Sequence, residues 1–352
     1  MRKTHFIVLA AVLGAATSAA AQPSRERIRD STRTIVENFT AVHYQQGREE
    51  QTDRQTRTLK LGANGELSLS NIAGDITVAK GNGSETTIEI VKTARARTAD
   101  EAKAQLGLVN VEITEQNSRA EVRTEYPRND QSGGWGWGRR GGINVSVAYN
   151  ISAPAGTRLT INSVSGSIRV SDVKGDLSVN TVSGGVRLAN AGRIASAKSV
   201  SGGVEILDTQ IDGALEAQSV SGSVTLRKVT ARRVNVGSVS GMVQVDDVQC
   251  DRVEAHSISG DVQFAGVLTK GGRYELNSHS GSVRVGVAGN TGFELEANSF
   301  SGSVRSDLPL TNSSTGGDNG MMRRRSLRGV YGDGSAVLNV TTFSGSVVIS
   351  KR

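Results

Sequence analysis

Between Asn162 and Arg305 one short phrase returns at a nearly fixed interval. The phrase is Ser-Val-Ser-Gly-x-Val-x-Val, with small variations. It runs as Ser163-Val164-Ser165-Gly166 and Thr181-Val182-Ser183-Gly184, then returns around Gly202, Gly222, Gly241, Gly260, Gly281 and Gly302. A ninth copy, Thr342-Phe343-Ser344-Gly345, lies near the C-terminus. The glycines are 18, 18, 20, 19, 19, 21 and 21 residues apart, then 43. A period of ~20 residues marks a stacked repeat protein.

Each repeat carries two β-like runs. One follows the glycine, as in Val186-Arg187-Leu188, and one precedes the serine, as in Leu177-Ser178-Val179. Alternating apolar and polar residues put one face inward and one outward. A single ~20-residue coil loses ~20–40 kcal/mol of backbone entropy on ordering. Its few buried Val, Leu and Ile side chains return only ~1.5–3 kcal/mol each. A lone coil therefore does not fold, whereas a stack shares one core and one ladder of main-chain hydrogen bonds. The fold class expected is all-β: a parallel β-helix (solenoid) of ~20-residue coils with two or more parallel sheets.

Read as columns, the repeats give three further expectations. Val164, Val182, Val200, Val220, Val239, Ile258, His279, Phe300 and Phe343 form an apolar column expected to face inward, growing bulkier toward the C-terminus. Asn162, Asn180, Lys198, Gln218, Gly237, His256, Asn277, Asn298 and Thr341 form a mostly polar column. The glycine column suits a corner that needs positive φ or close backbone approach.

Flanking segments bound the solenoid. Residues 1–21 read as a secretory signal peptide, with Arg2 and Lys3 as the basic start, Phe6 to Ala16 as the apolar run and Ala19-Ala20-Ala21 as the cleavage site. That apolar run is too short to span a bilayer, so no transmembrane segment is expected in the mature chain. The protein is thus expected to be exported: periplasmic, on the cell surface or secreted. The 41 basic residues less Arg2 and Lys3 leave 39 against 34 acidic ones, a mature charge of about +5. Such a mild excess does not predict a nucleic-acid partner. The one cysteine, Cys250, permits no intramolecular disulfide, so stacking must supply the stability of an exported chain.

Residues 22–56 are polar and charged and read as a flexible lead-in, with a short helix around Thr34–His43. Residues 57–157 read as a β-rich N-terminal cap carrying one short helix, Thr98 to Leu106, whose Thr98 and Glu101 have capping-box spacing. Within the cap, 128–142 is a Gly/Trp/Arg loop. Residues 158–352 read as the repeat solenoid, interrupted by a loop insertion at 306–334.

Two surface features stand out as candidate ligand contacts. Trp135, Trp137, Arg139 and Arg140 combine aromatic rings with cations, which suits stacking on sugars or a membrane interface. A connector whose tryptophans dock on the solenoid is the competing explanation. Arg323, Arg324, Arg325 and Arg328 could meet phosphates or an acidic polymer, against a plain solvated loop. The paired serine columns repeat at the rung spacing of ~4.8 Å, and turn chemistry alone accounts for Ser-Gly at a corner. Catalysis finds little support. Secreted β-helix lyases and hydrolases need clustered carboxylates or a metal on one face. Asp246, Asp247 and Asp251 are the only tight acidic group in the repeats. His256 and His279 lie in different columns, and His279 replaces a core residue. No catalytic, metal-binding or cofactor-binding residue is expected, and no cofactor.

The phrase Val-Ser-Gly-Ser-Val at Val220 to Val224 and the final Val-Thr-Thr-Phe-Ser-Gly-Ser-Val-Val-Ile, with the signal peptide, resemble the bacterial putative-adhesin family, whose domain is of unknown function. The resemblance covers roughly Leu59 to Lys351. It implies an exported β-solenoid and transfers no catalytic residues. The function expected is a non-enzymatic adhesin-like solenoid that binds or scaffolds at the cell envelope or surface. Its partner would be an envelope or extracellular polymer or a surface protein. A polysaccharide-active β-helix enzyme and a purely structural envelope spacer are the alternatives.

Overall fold

In a computed structural model, the described residues are 49–127, 143–316 and 325–352, within a unit that runs from Glu49 to Arg352. The signal peptide, the Thr34–His43 helix and the 128–142 loop lie outside the described residues.

The unit is a two-sheet solenoid. One sheet has 13 strands and the other 14, and all the repeat rungs pair in parallel. Each coil donates one strand to each sheet, with the Ser-Gly corner between them. The cause is the alternation in the sequence. Leu177 and Val179 in one run and Val186 and Leu188 in the other are fully buried, and their neighbours face out. Stacked coils make one continuous core from Leu59 to Ile349. The Ser-Gly pairs do line up one above another: Ser163 pairs with Thr181, Ser199 with Ser219, and Ser238 with Ser257.

One of the column expectations is revised. The Val164 to Phe343 column does not face inward. Val164 to Ile258 are 40–49% exposed and Phe300 is 64% exposed. The inward residue is the serine or threonine just before it: Ser163, Thr181, Ser199, Ser219, Ser238, Ser257, Ser278, Ser299 and Thr342 are buried. The reason is phase. A strand that buries Leu177 and Val179 must bury Thr181 next and turn Val182 out. His279 is likewise exposed rather than packed in the core.

The glycine column is there for close approach more than for positive φ. Of this column only Gly166, at φ 123°, has left-handed backbone. At Gly184 through Gly345 an added Cβ would overlap the carbonyl oxygen of the corner glycine on the adjacent coil.

The cap wraps the first coil. Strands β1 (Glu49–Leu59), β2 (Glu66–Ala73), β3 (Ile76–Lys80) and β4 (Thr86–Ala96) precede helix α1 (Ala99–Leu106). Then come β5 (Asn110–Gln116), β6 (Arg119–Glu125) and β7 (Val145–Ala153). The coil made by β2 and β3 stacks on residues 158–171 and is covered outside by β6 and β7. The β5–β6 hairpin and the antiparallel β7–β4–β1 set extend the two sheets past it. Thr98 caps α1 by accepting from the Glu101 N–H at 3.2 Å. Strand structure begins at Glu49, inside the expected lead-in. Ladder bonds to β4 need no apolar side chains, and the mostly exposed polar run 49–58 carries no hydrophobic signal.

The last coil is out of order. Ala336–Thr342 lies between Arg273–Ser278 and Phe293–Ser299, and Val347–Lys351 lies between Val283–Ala288 and Val304–Ser306. The chain leaves a slot, makes the outer coil, and returns to fill the slot. The 306–334 insertion is not only loop. It contains an antiparallel hairpin, Thr311–Gly316 with Ser326–Tyr331, that pairs with Phe293–Ser299 and covers that edge.

Gly222→Ala is expected to lower stability by ~1–3 kcal/mol, the usual cost of overpacking, because its Cβ would strike the Gly202 carbonyl. Gly185→Ala, whose Cβ would meet only the Gly203 carbonyl oxygen at an ordinary 3.7 Å, should leave the thermal unfolding midpoint near wild type. Equal midpoints for the two variants would refute the close-approach account.

Candidate functional site

The corner is built on a hydroxyl zipper. Ser219 Oγ donates to the Gly202 carbonyl at 2.8 Å and accepts from its own Gly222 N–H at 2.9 Å. Ser199, Ser238, Ser257, Ser278, Ser299 and Thr342 repeat both bonds at 2.8–3.1 Å. Each hydroxyl thus satisfies one backbone donor in its own turn and one backbone acceptor in the adjacent coil. Losing such a buried partner costs ~1–3 kcal/mol per orphaned group. The serine column is therefore structural.

With the serine tied inward, its two neighbours are both thrust outward. They form parallel columns, with Asn162, Asn180, Lys198, Gln218, Gly237 and His256 on one side and Val182, Val200, Val220, Val239 and Ile258 on the other. Between them runs an open trough of about 580 Å³. The Asn180 amide donates to the Asn162 carbonyl oxygen at 3.2 Å. The Lys198 ammonium pairs with Glu216 at 3.0 Å. The His256 ring lies over Gly237, in the space a Cβ there would need.

The trough continues into a second, of about 590 Å³, where the apolar column becomes aromatic. The inserted last coil places Phe343 between His279 and Phe300. His279 stacks on Phe343 with centroids 4.9 Å apart, and Phe343 on Phe300 at 4.6 Å. The three rings are face to face, so their edges point to solvent. Arg325 lines this end. Together Ile72, Val164 and the residues stacked after them make one exposed apolar ridge along the solenoid.

Other predicted contacts fare differently. Trp135, Trp137, Arg139, Arg140, Arg323 and Arg324 lie outside the described residues. Arg328 does not join Arg325 at the trough, because its guanidinium is paired with Glu296. Asp246, Asp247 and Asp251 form no cation site. Asp246 accepts from Gln244 and Asp247 pairs with Arg352 at 2.7 Å. Among the described residues no three His, Cys, Asp or Glu side chains are grouped to hold a metal. Burial, with a smaller contribution from the Asp251 charge, pushes the Cys250 thiol up to about 12. The ridge is not evident from its valines apart from the strand that precedes them. The signal was present in the Leu-x-Val-x-Ser alternation, which fixes which residue faces in.

The sequence pattern of the Toastrack DUF4097 family matches residues 58–229, 215–271 and 234–350, which take in both the cap and the ridge. The chain belongs to the Toastrack DUF4097 family. No curated protein matches it. Among solved structures, this Toastrack chain is similar to one described as a putative adhesin from Bacteroides fragilis, at 14% identity, covering 85% of this chain and 97% of that one with a TM-score of 0.40. It is also similar to a putative lipid binding protein from Parabacteroides distasonis, at 15% identity, 85% and 97% coverage and a TM-score of 0.42. A putative cell adhesion protein from Clostridium sporogenes matches at 12% identity, 86% and 100% coverage and a TM-score of 0.23. Among the described residues no helix is long and apolar enough to cross a membrane.

A thiol held at about 12 and buried is almost wholly protonated at pH 8, and the thiolate is the reactive form. Cys250 in the folded protein should therefore resist maleimide or Ellman's reagent at pH 8 and react once unfolded by guanidinium. Stoichiometric reaction of the native protein within seconds would contradict its placement.

Proposed function

We propose that this Toastrack chain is an exported, non-enzymatic, adhesin-like solenoid that binds or scaffolds at the cell envelope or surface. The observation that carries the proposal is the exposed apolar ridge. The largest apolar patch on a typical soluble monomer is ~300–600 Å² and is often a contact site. From the exposed fractions of Ile72, Val164 to Ile258, Phe343 and Phe300, these residues together expose roughly 700 Å², main-chain atoms included, which puts the ridge at the upper end of that range. The valines stand on a rigid sheet, so little side-chain freedom is lost when they are covered.

The word adhesin is borrowed from the descriptions of the relatives. The ridge supplies the physical reason. Export rests on the signal-peptide pattern of residues 1–21. Trp135, Trp137, Arg139 and Arg140, together with Arg323, Arg324 and Arg325, are second contacts in this reading. The partner class is an envelope or extracellular polymer or a surface protein.

Mature protein should be retained by envelope fractions of its own source. Substituting Val200→Lys, Val220→Lys and Val239→Lys together should reduce retention by at least ~10-fold, the effect of removing ~1.4 kcal/mol of binding. All three positions face solvent, so the circular-dichroism spectrum should not change. Undiminished retention of the triple variant would rule out the ridge as the contact. Release of sugar from a glycan panel by the wild-type protein would overturn the non-enzymatic reading.

A further inference from the structure

We infer that the ridge is a self-association surface, on which two copies of the chain pack antiparallel about a two-fold axis. The inference rests on the proposal that the ridge is a contact surface, and it names the partner. Three observations point to a second copy.

The first is size. A specific interface buries ~800 Å² per partner. The roughly 700 Å² that the ridge residues expose, with the flanking serines and asparagines, falls near that figure without further surface.

The second is charge. A two-fold interface brings the same patch face to face with itself, so any net charge on the patch repels its own copy. The ridge is flanked on one side by the exposed serines Ser183, Ser201 and Ser221, and on the other by Asn162, Asn180 and Gln218. The one lysine in that flank, Lys198, is neutralised by Glu216. Apart from Arg325 at the aromatic end, which antiparallel packing sets far from its own copy, the strip is close to neutral on a chain that carries excess positive charge.

The third is taper. The ridge is thin where it starts, at Ile72 and Val164, and thick at the aromatic end, at Phe343 and Phe300. Antiparallel packing sets thick against thin and keeps the gap even. Parallel packing would meet at the aromatic end and open a wedge at the other.

Other occupants fit less well. A sugar polymer needs a run of free ring faces, and here Phe343 is covered on both faces, by His279 and Phe300, at 4.6–4.9 Å. An acyl chain in so open a trough would keep one side in water.

Along the ridge the order is Ile72, Val164, Val182, Val200, Val220, Val239, Ile258, His279, Phe343, Phe300. With full overlap the axis falls between Val220 and Val239. This register sets the test. Sedimentation of the mature chain at concentrations up to ~100 µM should show a doubled mass, the range in which even weak complexes populate. The triple variant Val200→Lys/Val220→Lys/Val239→Lys should sediment as a monomer with an unchanged melting curve. Under mild oxidation Val220→Cys should cross-link to its own copy, because its counterpart lies one rung away. Val164→Cys should not, because its counterpart lies seven rungs away, ~34 Å at ~4.8 Å per rung. The native Cys250 is buried and does not compete.

A wild-type protein that stays monomeric overturns the inference. So does a triple variant that still dimerises, and so does efficient cross-linking of Val164→Cys, which would mean parallel packing. If the wild type is monomeric while the lysines still abolish envelope retention, the dimer falls and the ridge remains the contact for another partner, lipid or glycan included. If the dimer forms but retention ignores the lysines, the self-association stands and the envelope contact falls.

Discussion

Everything in this molecule depends on how closely two coils can approach at their corner. Strands in a ladder stand ~4.8 Å apart, and that spacing must be kept where the chain turns from one sheet to the other. At the turn there is no room for a side chain. The glycine of each coil rests against the carbonyl oxygen of the glycine beside it. From Ser199 onward the buried hydroxyl of each turn then satisfies one group in each coil. A side chain at the glycine place would break the turn itself or its register with the adjacent coil. The first coil makes the point by exception. Asn71 takes the serine position there, and its amide donates to the Gly74 and Val147 carbonyls at 3.1 and 2.9 Å, joining coil to cap.

The same constraint creates the surface. A strand alternates, so fixing the serine inward fixes the next residue outward. A run of valines is thereby held in water, in line, on a stiff support. Nothing in the stability of a coil calls for valine at that place, since the core is complete without it. The apolar ridge is thus surplus to folding, which is why it is read as a contact surface. Its aromatic end has a separate origin. Only the return of the last coil into the slot between its predecessors brings Phe343 between His279 and Phe300. That return also leaves the final coil buried on both sides, while the hairpin after Asp307 covers the outer sheet edge.

Much of the solenoid was legible because its signal is additive. Nine copies of one phrase at a near-constant interval allow little besides a stack, and the helix after Thr98 was marked by its cap. The surface was less legible. Val182 read alone is an inward residue, and only the strand Leu177–Thr181 shows that it is not. His279, in the same column, faces out for the same reason. Arg325 and Arg328 looked like one cluster in sequence. On the strand Ser326–Tyr331 the Arg328 guanidinium goes to Glu296 and Arg325 lines the trough.

The sequence by itself determined that the chain stacks, how long each coil is and where each corner falls, because period, alternation and the Ser-Gly pair are local properties. Tertiary structure decided the order of the coils, the wrapping of the first coil by β6 and β7, and the joining of separate valines into one ridge. Those depend on which distant rung fills which slot. Ladder hydrogen bonds are alike from coil to coil, so no local pattern encodes that choice.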